Sequence, residues 1–291
     1  MKSFFSCLKG FNYKTNVDLT NYNTFRIKAV AKVLVEVQSN KVIELIEVLR
    51  KNNKKFIVLG AGSNVVFASK VIKSVVVVIS DKATIFEKED SVVCGAGEKL
   101  SLLCEYYLKN GYSGLEWAVG IPASVGGATI MNAGAFSCSM KDVVKSVVYY
   151  DGKSVKKIAG AGCGFKYRGS IFKENNFIVL SVSFKFKRAD KQEVLSKVKD
   201  NLLIRKEKQP SYPSAGSVFK NGENFYAGKL IEELGLKGKR IGGAQVSEKH
   251  ANFIVNIERA SGKDVVRLIK HIKKLAKIKY NATLCEEVVI Q

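Results

Sequence analysis

Apolar residues recur at the spacing of an α-helix in several separate parts of the chain. These parts are residues 41–52, 100–110, 187–208, 227–234 and 262–279. Between them lie short apolar or alternating runs, such as 56–59, 71–79, 177–186 and 286–290, which are typical of β-strands. Because many short strands are mixed with a few helices and no repeat is present, the pattern predicts an α+β protein.

Local signals mark where several of these elements begin and end. Ser261, with Asp264 three residues later, is a capping box that predicts a helix start at residue 262. Gly111 and Gly235 follow helical segments and predict their ends. Asp151-Gly152 lies between two apolar runs and predicts the turn of a β-hairpin.

The segment 114–136 has neither a helical period nor a strand-like alternation. It contains the only Trp of the chain and several glycines among small residues. Glycine is used where φ is positive or where another group comes too close to the backbone for a Cβ. Two interpretations stay equally open: a backbone surface that packs against a ligand, and a compact buried loop between two core elements.

A second glycine-rich segment, residues 60–64 (Gly-Ala-Gly-Ser-Asn), directly follows the predicted strand 56–59. A strand that enters a glycine turn is a candidate phosphate-binding loop. It is not a Rossmann fingerprint, because Val65 stands where the third glycine is required and a strand-like segment follows instead of a helix. Phosphate would therefore be bound by backbone N–H groups, Ser63 and Asn64. The alternative is a plain turn between strands.

The chain carries a formal net charge of +22 over 291 residues. Such a charge favours anionic partners, including phosphorylated metabolites, a nucleotide cofactor and nucleic acid. The lysines are scattered, however, and no nucleic-acid-binding motif is present. A general lysine-rich bias of the source proteome is a sufficient alternative explanation.

Cysteine and histidine usage narrows the chemistry further. The six cysteines form no Cys-x-x-Cys pair and only two histidines are present, so we expect neither a metal site nor a redox pair. No apolar run has the length of a membrane span. Met1–Gly10 lacks the apolar core and cleavage site of a signal peptide, so we expect a cytoplasmic protein with no membrane partner.

Short motifs from residue 23 to the last predicted strand form one ordered set. They are Asn23-Thr24-Phe25, Leu59–Asn64, Gly120-Ile121-Pro122 with Gly126-Gly127-Ala128, Met131–Ala135, Tyr167-Arg168, Pro213–Asn221, Gly242–Ser247, His250–Phe253 and Glu287-Val288. In order and spacing this set resembles the UDP-N-acetylenolpyruvoylglucosamine reductase family over nearly the whole chain. One motif alone would be weak, but the complete set is highly specific.

The resemblance implies a particular α+β architecture. An FAD-binding domain of the vanillyl-alcohol-oxidase (PCMH) type, in two lobes, would cover residues 1–187. A C-terminal α+β substrate-binding domain would cover residues 188–291, with its last strand returning to the active site. In this family FAD is held by glycine turns between strands. The implied cofactor-binding residues are Gly60, Ala61, Gly62, Ser63, Asn64, Gly120, Ile121, Pro122, Ser124, Gly126, Gly127, Asn132 and Gly134.

The resemblance also implies the reaction. The family reduces UDP-N-acetylglucosamine enolpyruvate to UDP-N-acetylmuramate in peptidoglycan precursor synthesis, with bound FAD as cofactor and NADPH as hydride donor. Donor and acceptor would occupy the same flavin face in turn, so ping-pong kinetics are expected. No nucleic-acid partner is expected, and the protein would be a monomer.

Five residues take catalytic or substrate-binding roles through the resemblance. Arg168 would stabilise the enolate and its carboxylate, because a guanidinium stays charged and binds a carboxylate through two hydrogen bonds. Ser217 matches the family's proton donor. Without the family match, the local sequence would favour a turn residue or a helix cap at this position. Glu287 matches the catalytic glutamate and competes with Glu286, since strand alternation sends the two side chains to opposite faces. Tyr167 and Asn221 would contact the substrate.

Three features depart from the family pattern. Lys28-Ala29-Val30 stands where Gly-Gly-Pro is usual, and Ala123 replaces a glycine. The chain also lacks the inserted loop with a substrate-clamping Tyr, so it resembles the shorter family branch. Two other functions stay open at this point: a flavin oxidase of the same fold with another substrate, and a basic nucleic-acid-binding protein without catalysis.

Overall fold

The computed structural model describes residues 4–291, so the first three residues of the segment assessed for a signal peptide lie outside it. The α-helices are α1 (Val42–Lys51), α2 (Leu100–Lys109), α3 (Val125–Ile130), α4 (Met140–Val143), α5 (Ile171–Glu174), α6 (Lys191–Lys208), α7 (Ala227–Glu233) and α8 (Gly262–Tyr280). The strands are β1 (Asn12–Asp18), β2 (Val30–Val37), β3 (Phe56–Leu59), β4 (Val65–Val66), β5 (Val71–Ile72), β6 (Val75–Ile79), β7 (Phe86–Lys88), β8 (Ser91–Gly95), β9 (Tyr112–Ser113), β10 (Gly134–Ala135), β11 (Cys138–Ser139), β12 (Val144–Tyr150), β13 (Val155–Ala159), β14 (Ile178–Lys185), β15 (Lys187–Arg188), β16 (Ser214–Ser217), β17 (Arg240–Ile241), β18 (Ala244–Val246), β19 (Phe253–Asn256) and β20 (Val289–Ile290).

The chain forms two compact units, each assembled from separate segments. The first unit contains the described residues up to 14, together with 34–61 and 75–204. The second contains residues 15–33, 62–74 and 205–291. Each unit is described below by itself.

The first unit contains an antiparallel sheet with the order β13-β12-β14-β8-β7. Its central strand β14 pairs with β12 through Val182 and Val147, and with β8 through Val182 and Cys94. The buried core of this sheet includes Trp117 and residues of α2 and α3. The glycine-rich segment 114–136 therefore packs against this sheet through a shared buried core.

Parallel strands in the same unit position the turn that begins at residue 60. Strand β6 lies between β3 and the second half of β2, with Val77 opposite Val58 and Val76 opposite Leu34. Helix α1 connects β2 to β3 and buries the apolar stripe that its sequence predicts. The turn therefore starts at the carboxyl end of a parallel strand, where α/β sheets commonly bind ligands.

The second unit contains an antiparallel sheet with the order β16-β19-β18-β17. The apolar face of α8, including Val265, Leu268 and Ile272, is buried. Strand β20 pairs in parallel with β4, with Val289 opposite Val65. This pairing places the last strand beside the segment that follows the 60–64 turn.

The structure confirms most of the predicted elements. Helices α1, α2, α7 and α8 lie within about two residues of their predicted bounds, and the Ser261–Asp264 capping box is formed. Strands β12 and β13 form the hairpin around Asp151-Gly152. The segment 71–79 divides into two short strands, and the last strand covers only Val289–Ile290 instead of 286–290.

The segment 114–136 contains a helix although it lacks a helical period, because α3 occupies Val125–Ile130. Apolar periodicity could not predict a helix built from Gly, Ala and Thr. The helix forms because each N–H group of its first turn finds an acceptor inside the protein, as described below.

Candidate active site

The turn at residues 60–64 presents backbone N–H groups without protein partners. The carbonyl oxygens of Gly62 and Asn64 accept hydrogen bonds from Thr24 N and Val289 N, at 3.3 and 2.9 Å. Within residues 4–291, none of the N–H groups of 60–64 donates to another main-chain group. Gly62 has a φ of +64°, and a Cβ at this position would overlap Tyr22 O. A run of free N–H groups around a left-handed glycine is suited to bind phosphate oxygens.

Ser124 is the N-cap of helix α3, and the N–H groups of the first helical turn all have hydrogen-bond acceptors within the protein. The Ser124 hydroxyl accepts a hydrogen bond from Gly127 N at 3.2 Å. The N–H groups of Val125 and Gly126 donate to Glu98 O and Ala96 O, at 2.9 and 2.8 Å. The helix therefore does not offer the free N–H groups that bind phosphate in a Rossmann site.

Glycines bring this helix into close contact with its surroundings. A Cβ at Gly60 would overlap the Ser124 hydroxyl, and a Cβ at Gly126 would lie 2.8 Å from Ala96 Cβ. The predicted residues Gly60, Ser124, Gly126 and Gly127 thus lie together in the first unit. Their close packing fits a cofactor bound by glycine turns and not by a helix.

The loop before α3 explains why one departure from the family pattern is tolerated. Gly120 has a φ of +85°, and both Gly120 and Pro122 are exposed, with Ile121 half-buried between them. Ala123 N donates to Ile121 O, and Ala123 O accepts from Leu100 N, both at 2.9 Å. Ala123 does not adopt a positive φ, so alanine fits at this position without strain.

The Lys28-Ala29-Val30 departure is also accommodated by regular pairing. Ala29 O accepts a hydrogen bond from Leu19 N, and Val30 N donates to Lys70 O, both at 2.8 Å. Ala29 is buried and none of the three residues has a positive φ. Glycine and proline are therefore not required here.

Arg168 lies in a tight turn of the first unit. Lys166 N donates to Gly169 O at 3.0 Å and Gly169 N donates to Lys166 O at 3.1 Å, which leaves Tyr167 and Arg168 at the tip. Arg168 has a φ of +53°, a conformation that costs roughly 1–2 kcal/mol for a residue with a Cβ. Its Nη2 donates to Gly134 O at 3.3 Å, and its guanidinium lies 5.2 Å from the centre of the Tyr167 ring.

The buried Asn132 side chain contacts the same turn. Its Nδ2 donates to Lys166 O, and its Oδ1 accepts from Lys141 N, both at 3.0 Å. The structure therefore brings Asn132, Gly134, Tyr167 and Arg168 together. The Asn132 amide is engaged by the protein main chain, while its contact with the cofactor stays a prediction.

Ser217 and Glu287 lie on adjacent segments of the second unit. Ser217 ends β16 opposite Phe253 of β19, and the preceding Gly216 has a φ of +74°. Glu287 N donates to Val218 O, the residue after Ser217, at 2.8 Å. On its other side, Glu287 O accepts from Asn64 Nδ2 at 3.0 Å. Three residues predicted from separate motifs are thus neighbours, and both Ser217 and Glu287 are half-buried.

The competing carboxylate, Glu286, is engaged elsewhere. Lys273 Nζ of α8 lies 2.7 and 2.9 Å from its two carboxylate oxygens. This ion pair favours Glu287 for the catalytic role, because the Glu286 carboxylate is directed to α8. Asn221 accepts a hydrogen bond from Ala227 N at 3.0 Å and so holds the loop that precedes α7.

Burial shifts the pKa of three groups, His250, Cys163 and Cys94. Burial lowers the pKa of His250, whose Nδ1 accepts a hydrogen bond from Asn252 N at 3.2 Å, so the ring is held in its neutral form. Burial raises the pKa of the Cys163 thiol to about 11 and raises the pKa of Cys94 still further. Among residues 4–291, no three His, Cys, Asp or Glu side chains are grouped to hold a metal ion.

Two polar residues that support the site were not identified from the sequence. Ser170 is fully buried and its hydroxyl donates to Ile130 O at 2.7 Å. Asn252 is buried and holds both main-chain groups of Phe219, with its Oδ1 accepting at 3.0 Å and its Nδ2 donating at 2.8 Å. Asn252 lies in the His250–Phe253 motif, but no role was predicted for it there. A single polar residue beside apolar ones does not separate either residue from ordinary surface positions.

Comparison with known proteins agrees with this geometry. Residues 31–157 match the sequence profile of an FAD binding domain. Residues 208–291 match the profile described as UDP-N-acetylenolpyruvoylglucosamine reductase, C-terminal domain. None of the helices in residues 4–291 is long and apolar enough to traverse a bilayer.

Similar proteins cover almost the whole chain. The UDP-N-acetylenolpyruvoylglucosamine reductase of Clostridium novyi is 38% identical over 99% of this chain and 95% of its own length. The Bacillus subtilis enzyme of the same name is 38% identical over 94% of this chain and 92% of its own length. The crystal structure of the Thermus caldophilus reductase superposes with a TM-score of 0.82 at 32% identity, covering 96% of this chain and 98% of that chain.

The fold and the cofactor-binding profile define a flavin-dependent oxidoreductase, with an FAD-binding domain of the vanillyl-alcohol-oxidase type and a C-terminal substrate domain. Within that class, the chain belongs to the UDP-N-acetylenolpyruvoylglucosamine reductase family. The predicted fold class and family are therefore confirmed.

Proposed function

We propose that this protein reduces UDP-N-acetylglucosamine enolpyruvate to UDP-N-acetylmuramate in peptidoglycan precursor synthesis, with FAD as bound cofactor and NADPH as electron donor. The observation that carries the proposal is the match to reductases of this name over 94–99% of the chain. The reductase C-terminal profile and the FAD-binding profile both lie within that match.

FAD would be held by the N–H groups of residues 60–64 and by the glycine-lined segments 120–127 and 132–134. Once bound, this cofactor would supply the two-electron chemistry that couples oxidation of NADPH to reduction of the enolpyruvyl double bond. The excess of positive charge on the chain helps to attract both nucleotide ligands, because UDP and NADPH carry several phosphate charges.

Arg168 binds the carboxylate of the substrate and stabilises the negative charge that develops beside it. A guanidinium suits this role because it remains charged and offers parallel N–H donors. The left-handed turn and the Tyr167 ring restrict the side chain before the substrate binds, which reduces the entropy lost on binding. Tyr167 itself contacts the substrate.

Ser217 donates the proton that completes the product, and Glu287 assists it from the adjacent segment. A serine hydroxyl is a weak acid, so it must be oriented and must face a strongly basic carbon. The hydrogen bonds that join Glu287 N to Val218 O and Asn64 Nδ2 to Glu287 O support this placement, because they fix both segments. Asn221 contacts the substrate from the loop before α7.

The remaining expectations belong to the same proposal. Residues 1–187 form the FAD-binding domain and residues 188–291 the substrate domain. The protein works as a cytoplasmic monomer and has no nucleic-acid partner. A gel-filtration mass measured together with light scattering would test the monomer directly.

The function is tested by separating its two half-reactions. NADPH, added without air, should bleach the visible flavin spectrum, and UDP-N-acetylglucosamine enolpyruvate should restore it. A flavin that bleaches but is not restored would indicate another acceptor and favour the flavin-oxidase alternative. A protein that neither contains nor takes up FAD would contradict the proposal.

The role of Ser217 is tested with a variant and a matched control on the same strand. Ser217→Ala should keep flavin reduction by NADPH and lose most of the re-oxidation by the substrate, about 10²-fold or more for the loss of a proton donor. Ser214→Ala, which lies three residues earlier in β16, should leave both half-reactions near the wild-type rates. If Ser217→Ala re-oxidised at the wild-type rate, Ser217 would not be the donor.

A further inference from the structure

Two buried side chains attach the Arg168 turn to the segment 130–134. Asn132 Nδ2 donates to Lys166 O, immediately before the turn tip, at 3.0 Å. Ser170 Oγ donates to Ile130 O, immediately after the turn, at 2.7 Å. Asn132 is 6% exposed and Ser170 is not exposed at all, so both side chains are largely shielded from water, which strengthens their hydrogen bonds.

These two hydrogen bonds flank the turn on both sides. The turn itself is closed by the paired hydrogen bonds between Lys166 and Gly169, and Arg168 Nη2 returns to Gly134 O in the same segment. The backbone around Arg168 and its guanidinium are therefore both hydrogen-bonded to one short stretch of chain, residues 130–134. We call the Asn132 and Ser170 hydrogen bonds the turn clamp.

The backbone needs such a clamp, because its conformation is unfavourable. Arg168 has a φ of +53° and Asn132 a φ of +43°. Arginine seldom adopts the left-handed region, in which a Cβ costs roughly 1–2 kcal/mol. Asparagine tolerates it better. Strained residues persist only where their surroundings fix them, and they are concentrated at functional sites.

We propose that Asn132 and Ser170 are positioning residues that hold Arg168 in the geometry needed to bind the substrate carboxylate. This inference rests on the proposed function for its kinetic consequence only, since the clamp itself is a property of the protein alone. It also gives Asn132 a function different from the cofactor contact that the family resemblance implies.

The chain offers a matched control for the loss of a buried hydroxyl. Thr129 is fully buried and its Oγ1 donates to Val125 O at 2.8 Å, within α3. Thr129→Val and Ser170→Ala therefore each remove one buried hydroxyl-to-carbonyl hydrogen bond. Only the second change removes a hydrogen bond of the clamp.

The first test uses hydrogen–deuterium exchange of the holoenzyme, read from a peptide that spans residues 164–172. Ser170→Ala and Asn132→Asp should each accelerate exchange of the turn amides about fivefold to tenfold, the loss expected for one buried hydrogen bond. Thr129→Val should leave this peptide unchanged. Equal exchange in all three variants and the wild type would overturn the clamp.

The second test measures the half-reactions. Ser170→Ala should slow re-oxidation by the enolpyruvyl substrate about tenfold, through misplacement of Arg168, while reduction by NADPH and the visible flavin spectrum stay unchanged. An altered flavin spectrum or weaker FAD retention in Asn132→Asp would show that Asn132 contacts the cofactor, and would overturn its assignment as a positioning residue.

A double variant separates the failure of this inference from the failure of the proposed function. In an Arg168→Ala background, Ser170→Ala should cause no further loss of re-oxidation, because the two residues act through one group. A full additional loss would overturn the positioning role. If Arg168→Ala alone re-oxidised normally, the proposed function of Arg168 would be wrong, and so would the kinetic role of the turn clamp. The exchange data would still show whether the turn clamp exists.

Discussion

Arg168 and Glu287 are placed by two different means. Glu287 lies in a ladder of main-chain hydrogen bonds, in which Glu287 N donates to Val218 O, and Val289 N and Gln291 N donate to Asn64 O and Val66 O. Arg168 lies in a turn with a left-handed backbone, and the side chains of Asn132 and Ser170 attach this turn to the segment 130–134 by hydrogen bonds. A ladder accepts almost any side chain along the strand, whereas a clamped turn depends on particular residues. The two placements should therefore respond differently to mutation.

The largest effect should distinguish the two neighbouring carboxylates of the ladder. Glu287→Gln should lower the re-oxidation rate about 10²-fold or more, the scale of a lost acid–base group. Glu286→Gln removes only a partly exposed ion pair with Lys273 and should change the rate by less than about threefold. Neither change should alter the fold, because main-chain bonds hold the strand. Stopped-flow re-oxidation of both variants decides the matter, and the opposite ranking would show that Glu286 is the functional carboxylate.

A smaller effect should appear when the strain of the turn is relieved. Arg168→Gly should be more stable than Arg168→Ala by about 1 kcal/mol, because glycine adopts a positive φ without the Cβ penalty. Both variants should lose re-oxidation, since both lack the guanidinium. Urea unfolding of the two variants, compared at the same pH, measures the difference. A more stable Arg168→Ala would mean that the backbone at this position is not strained.

The smallest effect should come from the titration of His250, which supports the ladder through Asn252. Because burial lowers the pKa of His250 in the folded state, the unfolded chain binds more protons as the pH falls below the ordinary histidine range. The free energy of unfolding should therefore be complete above about pH 6.5 and should fall below it. His250→Asn should flatten this dependence between pH 5 and 7.5. An equally steep profile in the variant would assign the dependence to other groups.

The sequence predicted those parts of the molecule that local rules determine. The apolar stripes of α1 and α8, the Ser261 cap and the Asp151-Gly152 turn act within a few residues of their own positions. Helix α3 was missed, because its first turn is completed by Glu98 and Ala96 from a distant strand end. The left-handed backbone of Arg168 was missed for the same reason, since residues some 34 positions earlier hold the turn.

The family motifs predicted the residues of the candidate site. The physical chemistry of the residues themselves predicted only some of them. The glycines at 60 and 62 had a physical reason, close approach or positive φ, that the structure bears out. Ser217 had none, because a serine after a glycine is also an ordinary turn residue. Asn132 and Ser170 carried no signal that separated a buried polar side chain from an exposed one.

The second unit is assembled from three separated segments, 15–33, 62–74 and 205–291. Strand β20 needs β4 from the middle segment, and Thr24 from the first segment donates to Ser214 O. The 130 residues from 75 to 204, just under half of the chain, must therefore be synthesised between the second segment and the third before this unit can close, and such non-local pairing makes folding slow. A gene cut at residue 204 would yield a C-terminal fragment with an unpaired final strand, and that open edge would promote aggregation instead of an independently folded domain.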